Sequence, residues 1–383
     1  MFAVPYLILI LFILLLAFLY EKKQEDIYWR SVIVLVCMVV LQVFLGLRGF
    51  VMFDWVNYYS EFYDANSLES DENVFGVNRE PGWHVFIVVC KAIWNNYHFF
   101  VFVHSLLILY LLWRFLRTYT DNPILGFALF FAFNGFGISF NLMRNSIAIL
   151  LFLNALPFLY SRQPLKYYII CFAAVSFHYS ATIYLPLYFF LHKRMNKYVF
   201  LAIVGLLTAF YLCDIKFITE MAEIVLGESS PLAKMVDVYS ELSHSVRFSP
   251  VFIERIVTAL LIYCYWEKLH EKRKETPLFV NSFLFYLGGT FLLTEFSEIS
   301  TRMGILFVFS YWVLYGDLIN GFKIPNNRLL FASFVFVYCI YRTIMPMRNV
   351  VYRYDNLLTG IQSYEERLYI FSRQSFKDDD QDD

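Results

Sequence analysis

The sequence predicts an all-α polytopic membrane bundle, and three observations carry that prediction. Of the 383 residues, 59% are hydrophobic and only 16% charged, where a soluble domain has roughly 45–50% and about 25%. The mean hydropathy is +0.55, and the apolar residues gather in runs near the ~20 residues that a spanning helix needs. Lys and Arg sit in short clusters between those runs, the arrangement that sets membrane orientation. The net charge of −1 offers nothing to a nucleic-acid partner.

In chain order, the clear runs are 2–20, 31–47, 99–116, 123–140, 144–160, 198–213, 250–266, 278–293, 303–319 and 329–343. The first lacks a basic leader and a small-residue cleavage site, so it reads as a span and not a signal peptide. Weaker segments 166–177 and 179–192 flank His178. Segment 82–94 follows Pro81-Gly82; as a helix it extends about 20 Å, too short to cross, and is expected to be re-entrant or interfacial. The basic clusters at Lys22/Lys23/Arg30, Arg114/Arg117, Arg162/Lys166, Lys193/Arg194/Lys197, Lys268/Lys272/Arg273/Lys274 and Lys323/Arg328 can all be cytoplasmic if 166–192 crosses twice. About twelve membrane segments then place both termini outside.

The expected organisation is a single transmembrane domain, 1–343, with extracytoplasmic loops 48–81, 214–249 and 294–302. Residues 344–383 form an extracytoplasmic tail with an acidic, disordered end. Loop 48–81 carries seven acids, two Arg and no Lys, as an outside loop should. Segment 216–226 puts Phe217, Met221, Ile224 and Val225 on one helical face and reads as an outer-leaflet amphipathic helix. Six scattered cysteines without a CxxC spacing read as packing residues. The seven histidines show neither HxxxH nor HEXXH, and no phosphate loop or serine elbow is present, so no metal or cofactor is expected.

Two blocks stand out, Asn141-Leu142-Met143-Arg144-Asn145-Ser146-Ile147-Ala148 and Phe177-His178-Tyr179-Ser180-Ala181. An arginine at membrane depth costs roughly 2.5–3.5 kcal/mol on insertion scales unless it has a partner or water. Arg144 also opens a span, beside the positive end of a helix dipole, where it needs an anion or carboxylate. The topology gathers Arg48, Asp54, Arg79, Glu80, Arg144, His178, Arg247, Glu254, Arg255, Glu295, Glu298 and Arg302 at the outer face. Guanidinium groups fork onto phosphate oxygens, and a histidine or carboxylate can take a proton from a sugar hydroxyl. Each residue has a plainer reading: Arg48 as a span-end anchor, Asp54 as a turn or cap, Arg79-Glu80 as a surface pair. His178 could equally be a core histidine, and Glu254-Arg255 an internal pair.

The blocks Gly46-Leu47-Arg48, Phe53-Asp54-Trp55-Val56-Asn57-Tyr58-Tyr59, Glu80-Pro81-Gly82-Trp83, Met143-Arg144-Asn145-Ser146-Ile147-Ala148 and Phe177-His178-Tyr179-Ser180-Ala181 with Leu185-Pro186 resemble, in order and spacing, the EpsG-like group of Wzy-type polysaccharide polymerases. The resemblance covers 1–192 best; beyond it, the span pattern and Arg302-Met303 agree. This chain has Asn145 where the family often has Gln, and Val51-Met52-Phe53-Asp54 where Val-Gly-Thr-Asp is usual.

The resemblance implies a metal-independent glycosyltransferase of the large GT-C-like membrane class in the bacterial plasma membrane. It would move a growing glycan from undecaprenyl diphosphate onto the end of a new undecaprenyl-diphosphate-linked oligosaccharide at the outer face. Arg144, His178 and Asp54 are the expected catalytic residues. Arg144 with Arg48 or Arg302 would neutralise the leaving diphosphate, and His178 or Asp54 would act as base. Arg79, Glu80 and Arg247 would line the sugar path, and Asn141 and Glu298 would join in binding substrate. Membrane lipid, a chain-length regulator and a flippase of the same pathway are candidate partners. A flippase for the same lipid-linked sugars and a membrane acyltransferase are the rival readings; a scaffold leaves Arg144 unexplained.

Overall fold

The computed structural model describes residues 2–23, 25–65, 80–213, 215 and 248–379, without the side chains of 298 and 374–379. About 80% of it is helix, and among the described residues the only β features are isolated bridges joining Arg48, Asn356 and Gly360. The described cysteines are unpaired.

Helices begin where sequence chemistry lets them. Asp26, Asn96 and Asn122 accept hydrogen bonds from backbone N–H groups of the first turn of α2 (Ile27–Gly46), α5 (Tyr97–Tyr119) and α6 (Pro123–Phe130), in addition to which α1 spans Val4–Lys22. Such caps satisfy donors that a helix start leaves orphaned. Proline occupies the first turn of α4 (Pro81–Ile93) and α9 (Pro164–Phe177), where its missing N–H costs nothing. The remaining helices of this part are α3 (Trp55–Asp64), α7 (Phe136–Phe140) and α8 (Met143–Tyr160).

Among the described residues, five helices are long and apolar enough to cross a membrane, six if Ile299–Ile305 and Phe309–Gly321 form one broken span. The chain is thus a helical membrane protein. Other expected segments are shorter apolar helices, among them Pro164–Phe177, Lys197–Leu212 and Thr276–Leu292, and some depart from a straight span for local reasons. The expected span 303–319 bends by 53° between those two helices. Segment 179–192 forms a 3₁₀ helix, Tyr179–Phe189, with Pro186 inside it. Run 123–140 is one of the five spans, although Phe133 and Asn134 leave helical geometry inside it, Asn134 with φ 69°. Segment 82–94 is helical over Pro81–Ile93, as its composition suggested. Segment 216–226 and most of loop 214–249 lie outside the described residues.

The chain forms two compact units, Met1–Tyr188 with Leu330–Asp383, and Phe189–Leu329. In the first, α8 packs against α5 and α9, α1 against α2 and α6, and α4 against α5 and α9. Run Pro123–Phe140 and helix α8 form the buried heart of this unit, 83% and 72% covered, whereas α2 has only 28% covered. The exposed Leu35, Val36, Val39 and Val43 of α2 are therefore suited to face lipid. Residues 344–373, read from sequence as a tail, fold back onto loop 47–54: Gly49 and Met52 donate backbone hydrogen bonds to Asp355 and Val351, and Leu357 donates to Leu47. Tyr364 stacks on Tyr59 at 4.3 Å. In the second unit, helix Thr276–Leu292 packs against Lys197–Leu212, Ser297–Ile305 and Phe309–Gly321. Buried Glu254 there accepts hydrogen bonds from Thr258, Tyr315 and Tyr311, which satisfies a carboxylate inside an apolar helix.

Candidate functional site

Glycine sets the first contact of the site. A Cβ on Gly82 would collide with Ser176 of α9, so only glycine lets α4 approach α9 this closely. That approach carries Glu80, the residue before Pro81, to the end of α9, where His178 leaves the helix in an extended conformation. His178 Nδ1 lies 2.5 Å from Glu80 Oε1, and the Tyr179 backbone N–H donates to the same oxygen at 3.1 Å. An ionised carboxylate only accepts, so Nδ1 carries the proton and Nε2 of a neutral ring keeps its lone pair.

Arg144 completes the group. It stands in the first turn of α8, and its guanidinium lies 3.2 Å from Glu80 Oε2 and 3.7 Å from Glu61 Oε1. Two carboxylates thus provide the compensation that an arginine near a helix N-terminus requires. Glu61 is held in turn by Trp83 Nε1, which donates to Oε2 at 2.9 Å. Burial by itself raises the Glu80 pKa, but the hydrogen bond from His178, the charge His178 carries when protonated, and the charge of Arg144 outweigh it, leaving the carboxyl below its ordinary range. Glu80 is 8% exposed, while the Arg144 and His178 side chains are 36% and 30% exposed. The carboxylate is therefore a buried anchor between two groups open to solvent or substrate.

Beside this triad lies a cavity of about 490 Å³ lined by Asn57, Ser60, Glu61, Asp64, Ala65, Glu80, Trp83, His84, Ile87 and Arg144. Among the described residues, no group of three His, Cys, Asp or Glu is placed to hold a metal ion.

Of the residues expected from sequence, Arg144, His178 and Glu80 are brought together. Arg48 is elsewhere in the same unit. It is 4% exposed and donates to the Leu45 carbonyl at 2.5 Å, Ser105 Oγ at 3.2 Å and the Ser139 carbonyl at 3.3 Å, with its guanidinium 4.7 Å from the Phe140 ring centre. Those carbonyls end α2 and α7, where a cation is favoured. Arg48 is accordingly engaged inside the bundle and does not line the cavity.

Asn141 is a clamp. Its Oδ1 accepts from the backbone N–H groups of Phe53 and Asp54 at 2.9 and 3.1 Å. Its carbonyl accepts from the Tyr58 hydroxyl at 2.8 Å, and that hydroxyl accepts from the Met143 N–H at 3.0 Å. The clamped loop includes Met52 at φ 71°, a left-handed backbone that glycine adopts without strain. Asp54 precedes α3 and makes no side-chain cap bond to it, and it is not among the residues lining the cavity. Arg302 belongs to the second unit, in helix Ser297–Ile305. Arg79 and Arg247 lie outside the described residues, as does the side chain of Glu298.

Sequence reasoning missed Glu61, Asp64 and Trp83 as site residues. The signal was present: Asn57, Ser60, Glu61 and Asp64 follow the i, i+3, i+4, i+7 spacing of one helical face, opposite the buried Trp55, Tyr58 and Phe62.

Fold and site together define a class: a helical membrane protein with a glutamate-held histidine and an ion-paired arginine beside a polar cavity. The EpsG family model matches residues 31–357, and the chain belongs to this family of Wzy-like polysaccharide polymerases. No curated protein and no solved structure gave a match.

Proposed function

We propose that the chain polymerises undecaprenyl-diphosphate-linked oligosaccharide units at the outer face of a bacterial plasma membrane, as a glycosyltransferase. One observation carries the reading: the 2.5 Å contact from His178 Nδ1 to Glu80, whose other carboxylate oxygen lies 3.2 Å from Arg144. That arrangement leaves Nε2 as the basic atom and stabilises the imidazolium that forms on it. In the reaction, His178 Nε2 takes the proton of an acceptor hydroxyl as its oxygen bonds to the anomeric carbon of the growing chain. The anomeric carbon–oxygen bond to the lipid diphosphate breaks, the diphosphate leaves with the bonding pair, and the imidazolium returns its proton to water.

Arg144 has a different part from the diphosphate clamp suggested by sequence alone. Two carboxylates already face it, and they would repel a diphosphate. Its role is to fix Glu80 and Glu61. Arg79, the chain neighbour of Glu80, is assigned to the leaving diphosphate. On this reading the shorter helices complete about twelve segments of a GT-C-like bundle, with the basic loops cytoplasmic.

The test is polymer laddering in cells whose own copy is replaced by Glu80→Gln or His178→Gln at matched membrane abundance. Loss of ladders in both variants is expected; wild-type ladders in both would sink the assignment.

A further inference from the structure

The cavity beside the Glu80–His178–Arg144 triad has more to it than access. Its volume of about 490 Å³ falls in the range of small-ligand sites, about 300–1,000 Å³. Its polar wall consists of hydroxyl-binding groups, the carboxylates of Glu61, Asp64 and Glu80 together with Asn57 and Ser60, and Trp83 adds an aromatic ring. Its charge is lopsided. Among the described lining residues Arg144 is the one Lys or Arg, against three carboxylates. Glu61 and Glu80 share that arginine; Asp64 has no ion-pair partner among the described residues.

The carboxylates of the wall are not equally open. Glu80 is 8% exposed, and its Oε2 is covered beside Arg144 at 3.2 Å. Glu61 is half-buried and Asp64 is exposed, so these two present acceptor oxygens to a sugar hydroxyl.

We propose that this cavity is the subsite for the terminal sugar of the acceptor, and that its carboxylates restrict that sugar to an uncharged one and turn away uronates. The inference rests on the polymerase reading above and adds which sugar class that site accepts. Hydroxyls donate to Glu61 and Asp64 without any change of charge, whereas a sugar carboxylate entering the same space meets excess negative potential in a partly enclosed site. Like charges several ångströms apart at an effective dielectric of about 20 disfavour binding by a factor of about ten or more.

The experiment uses the full chain in nanodiscs, polymerising its native lipid-linked repeat, with soluble methyl glycosides as competitors. The pairs are methyl glucoside against methyl glucuronide and methyl galactoside against methyl galacturonide. For at least one pair, the neutral member should inhibit at a concentration about tenfold or more below that of its uronate. Asp64→Asn, which leaves the Glu61–Arg144–Glu80 contacts untouched, should narrow that ratio at least threefold. Raising salt from about 0.05 to 0.5 M should narrow it for the wild type as well, because it shortens the screening length from over 10 Å to a few ångströms. Equal inhibition by both members, inhibition by none, or a ratio that neither Asp64→Asn nor salt shifts overturns the inference while polymerisation itself stands. Failure of the wild type to polymerise any lipid-linked repeat would overturn the polymerase reading instead.

Discussion

Replacing Glu80 by Gln removes one charge and almost no volume, so it isolates what the carboxylate contributes. At 3.2 Å and an effective dielectric of about 20, its attraction to Arg144 is on the order of 5 kcal/mol before screening. The guanidinium is 36% exposed, which reduces the net worth to about 1–2 kcal/mol. The same charge lies 2.5 Å from His178 Nδ1 and stabilises the imidazolium formed on proton transfer. The amide oxygen of Gln can still accept from Nδ1, but the amide can also turn its NH₂ to the ring and favour the wrong tautomer. General-base catalysis contributes typically 10²–10⁴-fold, and the substitution is expected to lower kcat by about 10²-fold with little change in KM for the acceptor. The assay is single-turnover extension of lipid-linked repeat by purified protein in nanodiscs, with thermal unfolding as control. A loss under about threefold, or one accompanied by equal loss of folded protein, would refute the reasoning.

The depressed pKa of Glu80 links the site to pH. A carboxyl held below its unfolded pKa contributes stability above that value and loses it as pH falls through the folded one; the wild type should therefore lose stability on acidification more steeply than Glu80→Gln, read by melting temperature across pH. Gly82→Ala should push α4 from α9 at Ser176, costing about 1–3 kcal/mol by overpacking and lowering activity more than abundance, checked by melting and ladder assays together. Arg48→Ala should destabilise by about 3 kcal/mol or more, since it strips donors from buried helix-end carbonyls, visible as reduced membrane abundance. Trp83→Phe removes the donor to Glu61 and should raise KM for the acceptor roughly threefold to tenfold with kcat less affected.

Much of this was legible in the chain. Apolar runs located the long helices because a span needs length and composition more than detail, and Pro81-Gly82 marked the short helix. Arg144 and His178 stood out because charge at such a place demands a partner; the sequence did not say that Glu80 would be the partner of both. Arg48 misled because an arginine after a span looks the same whether it anchors in headgroups, binds phosphate or caps a buried helix end. Glu61 and Asp64 were hidden by treating 48–81 as a charged loop and counting its acids, when the period of Asn57, Ser60, Glu61 and Asp64 announces a polar helix face. The bend after Ile305 had no proline to mark it inside an apolar run. Tyr179–Phe189 could be seen as short, but not as 3₁₀.

The central claim is that His178, oriented by Glu80, is the base in glycan polymerisation. Its most direct measurement is the rate of polymer extension by purified His178→Gln protein in nanodiscs, supplied with native lipid-linked repeat and compared with wild type across pH. The account predicts at least about 100-fold slower extension by a folded variant. Extension at the wild-type rate, with the same pH profile, would contradict it.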